Sequence, residues 1–431
     1  MIARSWFTLG VALVLATPSA ARAQELLPRA EDVANETSAV PADTGKWPTK
    51  FHLGSNEFNL GIMTIVIGAG FLQDYVSYNQ DSASAAEFDL ERQGYIRDSR
   101  FLFSGLLRTK RKMPWQLGLL YDTQKSKWLI RQTMVNIDAP EIWGQVHIGR
   151  FKEGISLNKI TNGYDGLTQE RPTITDVIPL FGDGIKWLGY LPKAHFLWSL
   201  GGYTNWLSKN ESWQTYRSQV VARAVYVNLD SDSAGQLLHI GAAVHAGTPQ
   251  EDTLRLKSKP EVFIAPLFID TGNFPATFGT ISGLEAYYRR GSFVTGGEYY
   301  GVWARSAQED NPAFDGGFVL ASWLVTGEVR PYSTPGGIFK GITPRRPVTK
   351  GGKGALEAVL QFTYSSYDAS TLNGGTFWRV TPMVNWYLDN HLRFEFTYGF
   401  GNLDRFAPHA TTEFFQARMQ FQFSKIDDGG D

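Results

Sequence analysis

The chain contains no cysteine, which excludes a disulfide framework and any thiolate metal site. Beyond its first two dozen residues it has no long apolar run. The longest later stretch, "GIMTIVIGAGF" (Gly61–Phe71), contains three glycines. It is far shorter than the roughly 20 residues that a transmembrane helix needs. Neither sign of charge dominates, with 41 Lys and Arg against 42 Asp and Glu, so nothing points to a nucleic-acid partner. A phosphate-binding loop of the G-x-x-x-x-G-K-[ST] type is absent, and "GGKGALE" (Gly351–Glu357) imitates it poorly. Histidines are few. His239 and His245 share a strand face, but they stand about 20 Å apart and cannot hold one metal ion. No catalytic residue, metal or cofactor is expected.

Aromatics and glycine are abundant: 28 Phe, 18 Tyr, 13 Trp and 44 Gly in 431 residues. A soluble chain of this length usually divides into two or three domains; one large β-barrel is the alternative. The start, "MIARSWFTLGVALVLATPSAARAQ", has a basic residue (Arg4), an apolar run and an Ala21-Arg22-Ala23 cleavage site. Residues 1–23 therefore read as a secretory signal peptide. Its removal would take Arg4 and Arg22 and move the net charge from -1 to about -3. Residues 24–57, polar with Pro28, Pro41 and Pro48, are expected to be a flexible periplasmic lead-in. Residues 425–431 form a polar tail.

Between these ends the pattern has a period of two. In "LLHIGAAVHA", Leu238, Ile240, Ala242 and Val244 oppose His239 and His245. In "ALEAVLQFTY", Leu356, Leu360 and Phe362 oppose Glu357, Gln361 and Thr363. In "FFQARMQFQF", Phe415, Met419 and Phe421 oppose Gln416, Arg418 and Gln420. The hairpin "VTPMVNWYLDNHLRFEFTYGF" repeats the pattern on both sides of Asp389-Asn390. Alternation sustained this long, with one face as polar as Gln, Arg and Glu, is expected of an all-β, antiparallel transmembrane barrel whose apolar face meets lipid. Sixteen segments are predicted over residues 58–424, the first kinked at Gly68 or Gly70. Even-to-odd connections are mostly short, as periplasmic turns should be, except for 333–352. The longest odd-to-even connections are 152–181 and 249–275.

Several stretches resemble, in order, the phosphate-selective porin O and P family. They are "HIGRFKEGISL" (His147–Leu157), Glu170-Arg171-Pro172, "PEVFIAPLFIDTG" (Pro260–Gly272), Glu285, Glu298-Tyr299, "ITPRRP" (Ile342–Pro347) and "NWYLDN" (Asn385–Asn390). Gly154 departs from the proline often found there, and "SKIDDGGD" follows the terminal aromatic Phe423. The resemblance implies a sixteen-stranded, trimeric channel in a Gram-negative outer membrane for passive uptake of phosphate or related anions. It also makes 333–352 a family feature.

Rings of Arg or Lys in a narrow wet pore favour anions. Alternation places Arg100, Arg217, Arg223, Arg289, Arg330, Arg379, Arg393 and Arg418 inward. It does the same for Asp98, Asp122, Glu285, Glu298, Glu328, Glu357 and Glu395, so the lumen is nearly balanced. A long loop at 152–181 is where porins commonly fold a constriction inward. Lys152 is the first candidate for the anion site, with Arg150 and Arg171 next and Arg100, Arg223 and Arg393 on the wall. Strict alternation would send Arg150 toward lipid with Ile148 unless Gly149 breaks the strand. Competing readings are a channel of the same fold with little selectivity or another solute, a barrel-type outer-membrane lipase, and a soluble β-sandwich.

Overall fold

A computed structural model describes residues 56–123, 126–208, 214–230, 235–369, 371–406 and 409–423. The expected signal peptide, nearly all of the lead-in and the 425–431 tail lie outside the described residues. Sixteen strands follow one another. They are β1 (Thr64–Gln80), β2 (Gln93–Arg108), β3 (Lys112–Asp122), β4 (Lys127–Ala139), β5 (Gly144–Lys152), β6 (Phe181–Leu191), β7 (Phe196–Thr204) and β8 (Tyr216–Asp230). The second half comprises β9 (Gln236–Pro249), β10 (Phe278–Arg290), β11 (Phe293–Arg305), β12 (Ala313–Leu324), β13 (Ala355–Ala369), β14 (Leu372–Tyr387), β15 (Leu392–Asp404) and β16 (Ala410–Phe423). Each pairs antiparallel with its sequence neighbours, and β16 pairs with β1 from Ala69↔Phe423 to Gln80↔Thr412. The sheet closes as a sixteen-stranded barrel, as the alternation predicts.

The two faces invert the order of a soluble protein. On β9, Leu238, Ile240 and Val244 are exposed, while His239 and His245 are fully buried. On β13, Leu356, Leu360 and Phe362 are exposed, while Glu357, Gln361 and Thr363 are buried. An outward apolar face around an inward polar one suits a hydrocarbon surround, where a closed sheet satisfies every backbone group. Trp187 and Trp198, and Trp378 and Phe400, add aromatic pairs on neighbouring strands. Two connections at one barrel end share a design. Pro140–Ile142 and Pro192–Ala194 each form one 3₁₀ turn, ended by Trp143 (φ 59°) and His195 (φ 53°).

Three departures from strict alternation matter. The first segment breaks at Gly61 (φ +81°) rather than at Gly68 or Gly70, and Glu57–Asn59 folds back to pair with β1. On β2 the register passes from Leu72↔Asp98 to Gln73↔Ile96, leaving Arg97 as an extra residue. On β8 it passes from Thr248↔Ser218 to Pro249↔Tyr216, leaving Arg217 extra. Arg217 is therefore exposed and pairs with Asp252 at 3.6 Å, not inward as parity predicts.

Three long connections, 153–180, 250–277 and 325–354, pack on inward-facing side chains. The interior is not polar throughout. Phe268 of the second connection stacks on Phe88 at 4.5 Å and meets Phe377 and Phe414. The third connection joins β12 to β13 at the end where the other turns are short, so 333–352 is the exception that the sequence indicates.

Candidate functional site

The site is built around connection 153–180. Its root depends on Gly149, whose φ is +127° and where a Cβ would come within 2.2 Å of the Thr133 carbonyl oxygen. This glycine breaks the alternation: Ile148 stays exposed, but Arg150 is buried. Arg150 faces its register partner Asp183 and donates to it through Nε at 2.7 Å, and to the Ile130 carbonyl at 2.9 Å. Lys152 is also buried. Its ammonium donates to the carbonyls of Ile160 (2.9 Å) and Thr161 (3.2 Å), at the end of the single helical turn Leu157–Ile160. A cation is well placed there, because the last carbonyls of a helical turn lack intrahelical donors. Arg171 turns back to the same stretch and donates to the Asn158, Lys159 and Thr161 carbonyls.

The start of that turn has the opposite need, for acceptors. Glu285 on β10 and Glu298 on β11 are register partners and supply them. Leu157 N–H donates to Glu285 Oε2 at 2.9 Å, Asn158 N–H to Glu298 Oε1 at 2.7 Å, and Ser156 Oγ to Glu298 Oε2 at 2.5 Å. Two carboxylates directly opposite would repel. Arg223 offsets this by donating to Glu285 at 2.8 Å, while Tyr287 and Tyr300 donate to Glu298.

Further along, the wall donates instead. Gln420 Nε2 reaches the Tyr164 carbonyl (2.9 Å) and Arg330 that of Asp165 (3.1 Å). Arg393 reaches Gly166 (3.0 Å) and Asn385 reaches Leu167 (3.0 Å). Four consecutive carbonyls are thus held by four side chains. Arg418 donates to the Gln169 carbonyl and joins Arg97 on the Glu170 carboxylate. Burial alone would raise the pKa of Glu170, but the two guanidiniums outweigh it and hold it down to about 2. Arg330 is itself held by Glu357 at 2.8 Å and by the Tyr387 hydroxyl.

A small cavity of about 60 Å³ remains in the bend of the connection. Arg97, Arg100, Arg171 and Arg418 line it together with Asp98, Glu170, Asn158 and Gln169. Arg100 pairs with Asp98 and lies over the Tyr164 ring at 4.5 Å. Asn158 Oδ1 and Gln169 Nε2 are buried without a hydrogen-bond partner among the described residues. One accepts and one donates, so the cavity can take water or a small polar solute.

Of the six residues the sequence singles out, Arg100 and Arg171 line this cavity, while Arg150 and Lys152 form the root. Arg223, acting through Glu285, holds the connection near its start, and Arg393 holds its middle at Gly166. Alternation misses Arg97, because the bulge on β2 is what turns it to Glu170. It also gives no sign that Arg330 sits where the 325–354 and 153–180 connections meet.

Comparison with known proteins agrees with this architecture. An uncharacterized protein of Caulobacter vibrioides is 30% identical over 182 residues, 41% of this chain and 36% of the relative, so the chain spans about a third of that relative's length. The anion-selective porin from Comamonas acidovorans has the same fold, with a TM-score of 0.55 at 10% identity over 84% of this chain and all of that one. The trimer form of OmpT, an outer membrane protein of Vibrio cholerae, gives 0.52 at 10% identity over 84% of this chain and 99% of that one. The family model for phosphate-selective porin O and P matches residues 71–423, most of the barrel described above, and the chain belongs to that family of outer-membrane porins.

Proposed function

We propose that this porin passes small anions of the phosphate or polyphosphate type, and that connection 153–180 is the constriction they cross. The observation that carries the reading is the cavity where Arg97, Arg100, Arg171 and Arg418 converge inside the bend of the connection. Guanidiniums match the oxygens of phosphate with paired hydrogen bonds, and low-dielectric walls concentrate their field. Arg171 is the leading contact there. It lines the cavity while its guanidinium donates to the Asn158 and Thr161 carbonyls. The trimer form of the OmpT likeness supports a homotrimer in outer-membrane lipid.

One observation favours a second reading, a channel of low selectivity. Arg100, Arg150, Arg223, Arg330, Arg393 and Arg418 each face a carboxylate. Planar-bilayer recording separates the two. The expected result is an anion-sided reversal potential in a chloride gradient and saturable block of chloride current by phosphate, both weakened in Arg171→Gln. Conductance without selectivity or block would establish the second reading.

A further inference from the structure

Connection 325–354 is the long exception among the short turns of its barrel end, and its two halves go different ways. The first half lies inside. Tyr332–Ser333 pairs with Ile338–Phe339, the Tyr332 hydroxyl meets His239 Nδ1 at 2.5 Å, and the Phe339 ring meets that of Tyr287 at 5.7 Å. The second half emerges over the ends of β13 and β14. Ile342 is buried with Leu324, Ala355 and Tyr387, and beyond it Arg345, Arg346, Lys350 and Lys353 are all exposed. Residues 329–356 carry Arg330, Lys340 and these four, and no acid, in a chain with 41 basic and 42 acidic residues. None of the four exposed side chains has a hydrogen bond or an ion pair among the described residues. By contrast, Arg111 at the same end pairs with Glu141 at 2.6 Å. Two acids flank the segment and accept elsewhere. Glu328 takes the Thr326 hydroxyl and the Arg345 N–H, and Asp389 takes the His391 and Leu392 N–H groups.

The backbone that carries these cations is fixed. Val348–Lys350 forms a 3₁₀ turn ended by Gly351 (φ +79°). Val348 N–H donates to the Leu388 carbonyl at 2.8 Å, and Gly354 N–H to that of Arg346 at 2.9 Å. A third tie tells which side the segment meets. The Trp386 indole donates to the Lys353 carbonyl at 2.9 Å. Trp386 is the register partner of Leu356 and Phe394 on the outward face, and both Leu356 and Val348 are exposed. Lys353 therefore stands where the apolar wall ends, beside an aromatic residue of the kind that sits at headgroup level.

We propose that Arg345, Arg346, Lys350 and Lys353 form a docking surface for the phosphate headgroup of an anionic phospholipid in the periplasmic leaflet. Short turns mark this end of the barrel as periplasmic. Unpaired cations at a membrane surface attract anionic lipid. The arginine forks match phosphate oxygens, and lysine stems can lie along the apolar wall with their ammoniums among the headgroups. The surface is independent of which solute crosses the pore.

The chain has no cysteine, so Thr349→Cys places a single fluorescent label beside the patch. The labelled full-length porin is folded into phosphatidylcholine vesicles that contain a small fraction of nitroxide-bearing phosphatidylglycerol or nitroxide-bearing phosphatidylcholine. The phosphatidylglycerol should quench at about one fifth of the fraction that the phosphatidylcholine needs, and about 0.5 M potassium chloride should shrink the difference. Changing Arg345, Arg346, Lys350 and Lys353 together to Gln should abolish it, with heat-modifiable folding kept. The pairs Arg345→Gln with Arg346→Gln, and Lys350→Gln with Lys353→Gln, should each remove part of it. A label at Lys193→Cys, in a short turn at the same end, should show little preference. Equal quenching by the two lipids at Thr349→Cys would overturn the proposal, as would a preference that survives in the fourfold variant or is equally large at Lys193→Cys. So would its loss on adding inorganic phosphate where potassium chloride of the same ionic strength leaves it, which would assign the cations to free solute.

Discussion

The 153–180 connection meets the barrel at two places of opposite chemistry. On β10 and β11 the wall accepts, through Glu285 and Glu298, from the N–H groups and hydroxyl of Ser156–Asn158. On β14 to β16, and from Arg330 in the 325–354 connection, side chains donate to the carbonyls of Tyr164–Leu167. The difference follows from the backbone each wall meets. The first turn of a helix presents bare N–H groups, whereas an irregular bend presents bare carbonyls, and neither can be left unpaired when buried. Much of the lumen's charge is therefore determined by what the connection's backbone lacks rather than by the solute. This explains why the signs nearly balance. It also separates a titratable anchor from one built on guanidiniums and amides.

The comparison can be broken most sharply on the donating side. Arg330→Ala leaves Glu357 buried without its cation, and breaking a buried pair costs about 3–5 kcal/mol. The expected outcome is a lower heat-modification temperature on SDS gels and faster proteolysis near Asp165. Unchanged values would remove Arg330 from the anchor. Glu298→Ala should act less strongly. It strips the acceptors from Ser156 Oγ and Asn158 N–H, at about 1–3 kcal/mol for unsatisfied buried donors. Proteolysis should then appear near residue 156 while the barrel keeps its heat-modification temperature.

Acid should have the smallest effect, and it sharpens the contrast. The folded pKa of Glu170 is depressed to about 2 from an ordinary 4.5. Its contribution is therefore fully present above about 4.5 and is lost only as the pH falls through about 2. Cleavage near Glu170 should run at similar rates near pH 7 and pH 5 and rise in Glu170→Gln. A wild-type anchor that loosens already near pH 5 would contradict the Arg97 and Arg418 pairing.

The sixteen strands, their order and the long exception at 333–352 are legible in the sequence, because alternation with period two survives in nearly every segment. Alternation fails at the bulges. Arg97 and Arg217 each occupy an extra position, so one turns in and the other out against parity. The break at Gly149 is legible as a requirement, since Arg150 has no other way to leave the lipid side. The contacts that Lys152, Arg330 and Arg393 make to the connection are not legible, because they go to backbone carbonyls, and a carbonyl carries no residue identity to read.

Arg418 stands on the strand that closes the barrel. Across that seam it meets Asp74, 344 positions away in the chain, and it also holds Glu170 of the connection. Its guanidinium has all of these partners only once the first and last strands are zipped together and the connection is seated. Closing the wall and filling it thus share one side chain, and a chain that zips with the connection displaced leaves Arg418 without its Gln169 and Glu170 contacts, and Glu170 without one of its two cations.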